Sequence, residues 1–524
     1  MARGLLSVGA MLEAHARLMP ERLGARDLER RLSFRDWNRR ARRLANALLA
    51  LGLGKGDRVA VLAYNRLEWA ELYAATSKAG LVIVPVNFRL SAPEARFVIE
   101  DAGAACVFAE DGLHRLIEEA RSELDLPPER FVHFGADPTP ERWQGYEALI
   151  AAAGDEAPAV AIGEDDPWTL LYTSGTTGKP KGVVHTHRSM ALIALVTENE
   201  LGLGRDDDAL LVMPMCHANS LNFFCAFTYC GGAVTICSRP SFDAAHAMDV
   251  MEESGASFTS LVPTHFIMML DHARKERRAR DLGRMTKLMI SSAPARADTK
   301  RAIMEMFPDA GLFELYGSSE AGWVTMLHPE EQFTHLGSVG RECVGSAPVR
   351  LLDDAGEEVP DGTPGELFSA TPYHFQGYWN LPEKTAEAFR GEYCTVGDIA
   401  VRDEHGFLHI VDRKKNMIIS GGENVYPTEV ESALGACEHV KDVVVVGLPD
   451  ETWGERVHAV VVLHEGADVS EQDLVAFCAA RIAGYKKPRS ISFMAAEDIP
   501  RTATGKVQHG VLRERLIARA TETA

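Results

Sequence analysis

Short apolar runs alternate with longer amphipathic stretches along most of the chain. The runs have the length and composition of buried strands, and the stretches between them have helical periodicity. This alternation predicts parallel sheets covered by helices, in which ligands collect at the carboxyl ends of the strands. The predicted strands are 57–64, 81–86, 105–108, 209–213, 233–237, 258–262, 288–291 and 312–316, and the predicted helices include 36–51, 67–79 and 94–101.

The pattern changes at about residue 340, where short strands separated by Gly and Pro turns predict a smaller β subdomain up to 411. A compact α+β pattern follows, with strands at 443–446, 457–463 and 491–494 and helices at 471–481 and from 507. The predicted fold is therefore α/β. It has a large N-terminal domain of helix-covered sheets with a small β subdomain (1–413) and a small α+β C-terminal domain (414–524).

Charge and cysteine usage exclude some partners. The formal charge of −20 over 524 residues argues against nucleic acid or anionic membrane. Nine cysteines without a Cys-x-x-Cys pair indicate reduced thiols. His185 and His187 flank a strand–helix junction and are interpreted as structural. No secretory signal or long apolar run is visible, so we expect a cytoplasmic protein, with a homodimer left open.

A glycine-rich stretch at 172–182 carries the strongest chemical signal. Hydroxyls, glycines and cations follow a buried strand, and such a set can surround a phosphate. The spacing differs from the common P-loop, and Pro180 should prevent the stretch from opening directly into a helix. The alternative is a plain surface loop. The candidate phosphate-binding residues are Thr173, Ser174, Gly175, Thr176, Thr177, Gly178 and Lys179.

Further motifs stand at 316–320, 395–398, 412–415, 420–424 and 500–506. Together with the glycine-rich stretch, they resemble the superfamily that groups acyl-CoA synthetases, nonribosomal peptide adenylation domains and beetle luciferases. The resemblance runs from about residue 10 to the C-terminus. It implies ATP or AMP, Mg²⁺ and coenzyme A as cofactors, and a mobile C-terminal domain that turns on a hinge at Lys415.

The resemblance also implies roles in forming an acyl-adenylate. Lys506 would bridge the substrate carboxylate and the α-phosphate, where a cation stabilises the charge of the transition state. Asp398 and Arg413 would hold the ribose, and Tyr316 would stack on adenine. From the residues alone, the alternatives are a solvated lysine for Lys506, an Asx-turn residue for Asp398 and a buried strand-end aromatic for Tyr316.

The metal is expected beside the phosphates. Glu320 resembles a Mg²⁺-linked glutamate, and Thr176 joins it as a second oxygen ligand. Glu314, Gly317 and Ser319 complete the expected nucleotide site, with Ser319 standing where the family usually has Thr.

A second set of residues is expected to bind coenzyme A. Gly421 and Gly422 would line a pantetheine tunnel, and Trp453 would pack against the cofactor. Arg89 and the basic cluster 486–489 are candidate phosphate contacts. A plain turn and a solvated basic face are the alternatives.

The acyl pocket is expected at His217, which matches a gating position in acyl- and aryl-CoA ligases. No Asp stands near it to hold an α-ammonium, so an amino acid is not expected. Gly317 replaces the Trp of acetate-specific relatives, which predicts a deeper pocket. Polar and aromatic residues after His217 fit a short or medium acid, hydroxylated or aromatic, and Trp323 would close one end. The set is Asn219, Ser220, Asn222, Phe223 and Phe224.

The leading interpretation is an ATP-dependent carboxylic acid–CoA ligase that releases AMP and pyrophosphate. A stand-alone enzyme that loads an acyl group onto a carrier-protein thiol is the alternative within the superfamily. A non-catalytic nucleotide-binding module is the alternative outside it.

Overall fold

The computed structural model describes residues 5–173, 180–276, 278–291, 295–420, 423–450, 452–501 and 507–523. The chain divides into two compact units. The first comprises Met1–Pro348 and Ser369–Cys394, and the second comprises Val349–Phe368 and Thr395–Ala524. Residues 349–368 and 395–411 of the predicted β subdomain thus group with the C-terminal part, and its other residues group with the first unit. The boundary at 413 and the hinge at Lys415 stay predictions.

The strands are numbered in chain order. The first sixteen are β1 Leu23–Arg26, β2 Arg31–Ser33, β3 Arg58–Leu62, β4 Val82–Val86, β5 Ala104–Glu110, β6 Phe131–Phe134, β7 Gln144–Gly145, β8 Pro167–Thr173, β9 Lys181–Thr186, β10 Asp208–Leu211, β11 Ala233–Ile236, β12 Phe258–Leu261, β13 Lys287–Ser291, β14 Gly311–Ser318, β15 Gly322–Leu327 and β16 Arg341–Glu342. The others are β17 Arg350–Leu352, β18 Gly365–Phe368, β19 Gly377–Tyr378, β20 Phe389–Arg390, β21 Tyr393–Cys394, β22 Asp398–Arg402, β23 Leu408–Arg413, β24 Ile418–Ser420, β25 Glu423–Val425, β26 Val440–Asp450, β27 Gly454–Leu463 and β28 Ser490–Phe493.

The α-helices follow the same convention. They are α1 Val8–Leu18, α2 Phe34–Ala50, α3 Glu68–Ala79, α4 Ala92–Asp101, α5 His114–Ala120, α6 Tyr146–Ala152, α7 His187–Leu201, α8 Ala218–Cys230, α9 Ala244–Ser254, α10 Pro263–Lys275, α11 Ala297–Met306, α12 Pro382–Ala388, α13 Pro427–Gly435, α14 Glu471–Ala479 and α15 His509–Thr523. Within the described parts of the chain, no helix is both long and apolar enough to cross a membrane.

Two large sheets form the first unit. One has the strand order β16-β15-β14-β13-β12-β10-β11-β1-β2, and the other has the order β19-β9-β8-β4-β3-β5-β6-β7. Their interiors are parallel, as β3 with β4 and β12 with β13 show, which confirms the prediction from the sequence. Antiparallel hairpins stand towards one edge of each sheet, β14–β15 in the first and β8–β9 in the second. Only a few residues connect the two strands of each hairpin, and a connection this short can join only antiparallel strands.

Helix α3 illustrates how the core of the first unit is built. It is buried along its whole length and ends at Gly80, whose positive φ of 66° is a glycine conformation. Its Glu71 is 1% exposed and forms an ion pair with Arg40 of α2, with Nε to Oε1 at 2.6 Å. Because a buried charge is tolerated only when it is paired, this contact lets α2 pack against α3.

The second unit contains two smaller sheets. The order β17-β18-β22-β23 forms a small sheet within the region of the predicted β subdomain, whereas residues 369–394 of that region belong to the first unit. The other sheet has the order β25-β24-β27-β26, with β28 parallel to β27. Helices α13, α14 and α15 accompany it, as the α+β pattern predicts.

The buried histidines make stability depend on pH. Burial lowers the pKa of His185, His187, His265 and His458 from the ordinary 6.5 to about 4. The folded state therefore binds fewer protons than the unfolded state below pH 6.5. Their stabilising contribution is fully present above that pH and is lost as the pH falls towards 4.

His187 offers a test of this dependence. Its ring stacks on Trp168 at 5.7 Å and 15°, and both ring nitrogens are buried without a hydrogen-bond partner among the described residues. We expect His187→Phe to keep the stack and to remove one titration. Between pH 7.5 and 5.5 the variant should lose about 1 kcal/mol less unfolding free energy than the parent. Urea titrations at both pH values measure this, with the exposed His405→Asn as control. An equal pH dependence in parent and His187→Phe would contradict the assignment.

Candidate active site

The motif at 316–320 lies on the hairpin between β14 and β15. The strand continues through Ser318, two residues further than the sequence predicts, because β15 pairs back onto it with a register shift between Tyr316 and Gly317. A Cβ on Gly317 would lie 2.2 Å from the carbonyl oxygen of Gly322. Only glycine fits this close approach, so the hairpin geometry depends on it. Tyr316 and Ser319 are half-buried beside it.

His185 holds the turn of this hairpin. Its Nε2 lies 2.6 Å from the carbonyl oxygen of Ser319, so that nitrogen carries the proton and donates. Burial lowers the pKa of His185 to about 4, which keeps the ring neutral at physiological pH. On its other side, Nδ1 faces the Ser189 hydroxyl at 3.2 Å. These contacts confirm that His185 has a structural role. They also show that His185 supports the hairpin of the candidate nucleotide site.

Glu320 is a buried carboxylate at the end of the motif, with an exposed fraction of 8%. The Tyr378 hydroxyl donates to its Oε1 at 2.9 Å. The face of the same tyrosine ring lies 3.9 Å from the Lys181 ammonium. Sequence analysis missed Tyr378, because no local motif marks it. It noted Lys181 only as a cation of the glycine-rich stretch.

Glu314 stands on the same strand but is committed to a buried ion pair with Lys300 of α11. Burial raises the pKa of Glu314, and the Lys300 ammonium opposes that effect. The pair anchors α11 to β14 ahead of Tyr316. A direct contact of Glu314 with a nucleotide stays a prediction.

In the second unit, Asp398 and Arg413 lie opposite each other on β22 and β23. Arg413 Nε is 3.0 Å from Asp398 Oδ1, and the carboxylate is buried whereas the guanidinium side chain is 43% exposed. Gly397, just before Asp398, has a φ of 78° that favours glycine. The two predicted ribose-binding residues thus form one fixed pair.

The predicted hinge residue Lys415 is exposed and lies in a single 3-10 turn, Lys414–Asn416. Just before the turn, the Asp412 carboxylate accepts from Asn416 Nδ2 at 3.2 Å and from the Thr428 backbone N–H at 3.1 Å. Lys414 pairs with Asp354 at 2.7 Å. The turn is therefore anchored on both sides while Lys415 projects from it.

The predicted coenzyme A residues of the second unit are partly brought together. The Arg489 guanidinium lies 3.7 Å from the centre of the Trp453 ring, and Trp453 is 38% exposed. Lys486 instead forms an ion pair with Glu429 at 2.7 Å. Of the basic cluster at 486–489, Arg489 is the residue that the structure joins to Trp453.

The candidate acyl pocket begins at His217. This residue is the N-cap of α8, but its side chain makes no capping hydrogen bond. Asn219, the second residue of the helix, donates from Nδ2 to Ser291 Oγ at 2.8 Å and to Ser260 Oγ at 3.1 Å. The two serines stand on β12 and β13, towards the carboxyl ends where ligands bind in such sheets. We call this the Asn219–Ser260–Ser291 cluster.

The structure separates the other predicted pocket residues. Phe223 packs against Trp323 with ring centres 5.5 Å apart, and Trp323 Nε1 donates to Thr197. Phe224 instead packs against Tyr73 in a different cluster, and the Ser220 hydroxyl donates to the Met213 carbonyl. Neighbouring helix positions point in different directions, so the residues from 219 to 224 that the sequence assigns to the acyl pocket do not form one continuous wall.

Several predicted residues lie outside the described residues. They are Ser174, Gly175, Thr176, Thr177, Gly178, Lys179, Gly421, Gly422 and Lys506. The residues that flank positions 174–179 are described, and Thr173 pairs with Lys181 across β8 and β9. The chain thus turns back as a strand after the glycine-rich stretch, which confirms that no helix opens there. Among the described residues, no group of three metal-binding side chains occurs.

Comparison with known proteins identifies the family. Residues 12–379 match the AMP-binding enzyme family and residues 429–506 match the AMP-binding enzyme C-terminal domain. The chain is 35% identical to a feruloyl-CoA synthase of an Amycolatopsis species over 97% of this chain and 99% of that protein. It is 36% identical to the long-chain-fatty-acid–CoA ligase FadD13 of Mycobacterium tuberculosis, over 98% and 99%.

A solved structure agrees with these matches. The anthranilate CoA ligase AuaEII in complex with anthranoyl-AMP superposes with a TM-score of 0.90 at 25% identity, over 99% of each chain. The chain therefore belongs to the AMP-binding enzyme family. It is an acid–thiol ligase of the AMP-forming acyl-CoA synthetase class, as the sequence motifs indicate.

Gly317 provides a test of the hairpin. We expect Gly317→Ala to displace the hairpin, because the new methyl group would overlap the Gly322 carbonyl. AMP affinity measured by calorimetry should fall by at least about tenfold, as when a buried hydrogen-bonded site is disrupted. Gly484→Ala, at a position with open space, is the matched control. Parent-like AMP affinity in Gly317→Ala would contradict the assignment of this hairpin to the nucleotide.

Proposed function

We propose that this protein activates a hydroxylated or aromatic carboxylic acid of short or medium length and transfers it to coenzyme A. The ligase class is established by the family. The particular acid and the roles of the individual residues are the proposal. Its main support is the pairing of Asp398 with Arg413 and the buried Glu320, which shares the neighbour Tyr378 with Lys181, since these are the groups that nucleotide and metal binding require.

The reaction has two steps. An oxygen of the substrate carboxylate attacks the α-phosphorus of ATP, the bond to the β-phosphate breaks, and pyrophosphate leaves. The thiol of coenzyme A then loses its proton and attacks the acyl carbon, and the bond to AMP breaks. Activation is needed because a free carboxylate repels nucleophiles, whereas AMP is a good leaving group. Such chemistry depends on positioning and on neutralising charge.

The chain's own residues divide this work. Asp398 is suited to accept both ribose hydroxyls, since a carboxylate has several acceptor sites and Arg413 keeps it oriented. Tyr316 offers a half-buried ring to adenine. The oxygen donors of Glu320 and Thr176 suit Mg²⁺, which supplies positive charge to the phosphate oxygens. Lys506 bridges the carboxylate and the α-phosphate in the first step.

For the second step, Trp453 and Arg489 form one aromatic and cationic surface that suits coenzyme A. Gly421 and Gly422 leave room for the pantetheine arm, and Lys415 is the hinge for exchange between the two half-reactions. Its exposed place in a short anchored turn suits a hinge residue.

The decisive assay measures AMP release with and without coenzyme A over a panel of carboxylic acids. We expect AMP and acyl-CoA to form together, and Lys506→Ala to reduce pyrophosphate exchange by about 10²–10³-fold. The same variant should still transfer a supplied acyl-adenylate to coenzyme A, because Lys506 acts only in the first step. Equal loss in both half-reactions would reject this role. Acyl transfer only to a carrier-protein thiol would favour the alternative acceptor.

The Asn219–Ser260–Ser291 cluster supports a substrate with a polar group. Asn219 Oδ1 is buried without a hydrogen-bond partner among the described residues. Such an acceptor costs about 1–3 kcal/mol unless a donor reaches it. A hydroxyl of the substrate would supply that donor, and the buried Phe223–Trp323 pair would form apolar packing behind the pocket.

Asn219→Leu tests this specificity. The variant keeps the branched shape and the number of heavy atoms of the side chain and removes its polar atoms. We expect the ratio of kcat/KM for 4-hydroxycinnamate to that for cinnamate to fall about tenfold or more, with KM for ATP unchanged. Ser220→Ala is the matched control, because its hydroxyl is bonded to the Met213 carbonyl instead. An unchanged ratio in Asn219→Leu would reject the polar contact.

A further inference from the structure

Tyr378 contacts two groups of opposite charge in the first unit. Its hydroxyl donates to Glu320 Oε1 at 2.9 Å, and its ring face lies 3.9 Å from Lys181 Nζ. Both charges are close enough to influence each other, since Glu320 opposes the lowering of the Lys181 pKa by burial. Nevertheless, no ion pair joins Lys181 to Glu320 in the described part of the chain. Each of them contacts Tyr378 instead, Lys181 at the face of the ring and Glu320 at the hydroxyl.

The surrounding fold holds this tyrosine rigidly. Tyr378 pairs with Val183 across β19 and β9, and its backbone N–H donates to Thr385 Oγ1 at 2.8 Å. Its ring meets Phe375 edge-on, with centres 4.9 Å apart at 66°. The side chain is 8% exposed. A ring restrained in this way can orient its neighbours at little loss of conformational entropy.

We propose that Tyr378 is a positioning residue that keeps Glu320 and Lys181 apart, so that the carboxylate stays available to a divalent cation and the ammonium to ATP phosphates. The proposal rests on the proposed function of Glu320. Without the ring, the two charges would attract each other across a poorly solvated gap. A direct pair would neutralise both groups and compete with the metal and the nucleotide.

The first test is Tyr378→Phe, which removes the hydroxyl and keeps the ring. ATP affinity is measured by calorimetry without any acid substrate, first in EDTA and then over a series of Mg²⁺ concentrations. We expect metal-free ATP affinity within about twofold of the parent, because the ring still faces Lys181. The Mg²⁺ concentration for half-maximal enhancement should rise about tenfold or more, since a hydrogen bond to a charged group is lost.

Tyr378→Leu removes the ring as well. We expect it to reproduce the Mg²⁺ defect and, in addition, to lower metal-free ATP affinity severalfold, because Lys181 loses its aromatic partner. Tyr146→Phe is the matched control for both. Its buried hydroxyl also donates to a buried carboxylate, but to that of Glu71 on α3 rather than to Glu320. It should keep the Mg²⁺ dependence of the parent.

A double-mutant cycle decides whether Tyr378 acts through Glu320. If it does, adding Tyr378→Phe to Glu320→Ala should produce no further change in Mg²⁺ dependence. An additive loss would overturn the proposal, and so would a parent-like Mg²⁺ dependence in Tyr378→Phe. If the parent itself bound ATP without any Mg²⁺ dependence, the proposed role of Glu320 would fail instead. The two failures are therefore distinguishable.

Discussion

A set of hydrogen bonds between residues 371–378 and the hairpin at 320–323 holds the candidate nucleotide site in place. The Thr371 hydroxyl donates to the Ala321 carbonyl and the Tyr373 hydroxyl to the Trp323 carbonyl, both at 2.7 Å. The Phe375 backbone N–H donates to the Glu320 carbonyl, also at 2.7 Å. Because the segment then joins β9 through β19, it links the hairpin of one large sheet to the edge of the other. The positions of Glu320 and Tyr378 both depend on this link.

Close packing makes that link specific. Gly322 has a φ of 69°, and a Cβ there would lie 2.6 Å from the Tyr373 ring. Gly317 is equally constrained by the Gly322 carbonyl, so the hairpin and the segment at 371–378 fit only with glycine at both positions. A site built in this manner is rigid before the ligand arrives, which lowers the entropy lost on binding.

Buried ionisable groups in this protein differ in the partners that they contact. His185 is neutral and donates a hydrogen bond, while Glu71 and Glu314 are buried acids kept in ion pairs. Glu320 is also buried, but its contact is with a neutral hydroxyl rather than a cation. Since Glu71 and Glu314 already contact a cation, this difference is why we propose Glu320, and not Glu314, as a ligand of Mg²⁺.

The sequence by itself determined the fold class, most of the elements and the family. Those properties depend on local periodicity and on contiguous motifs such as 316–320 and 395–398. Only the tertiary structure showed that Asp398 meets Arg413, that Arg489 covers Trp453, and that Phe224 turns away from Phe223. Tyr378 and the serines that bind Asn219 carried no signal in the sequence, because each acts across a long chain separation. Such contacts are decided by how strands and helices pack, and no local pattern of residue types encodes them.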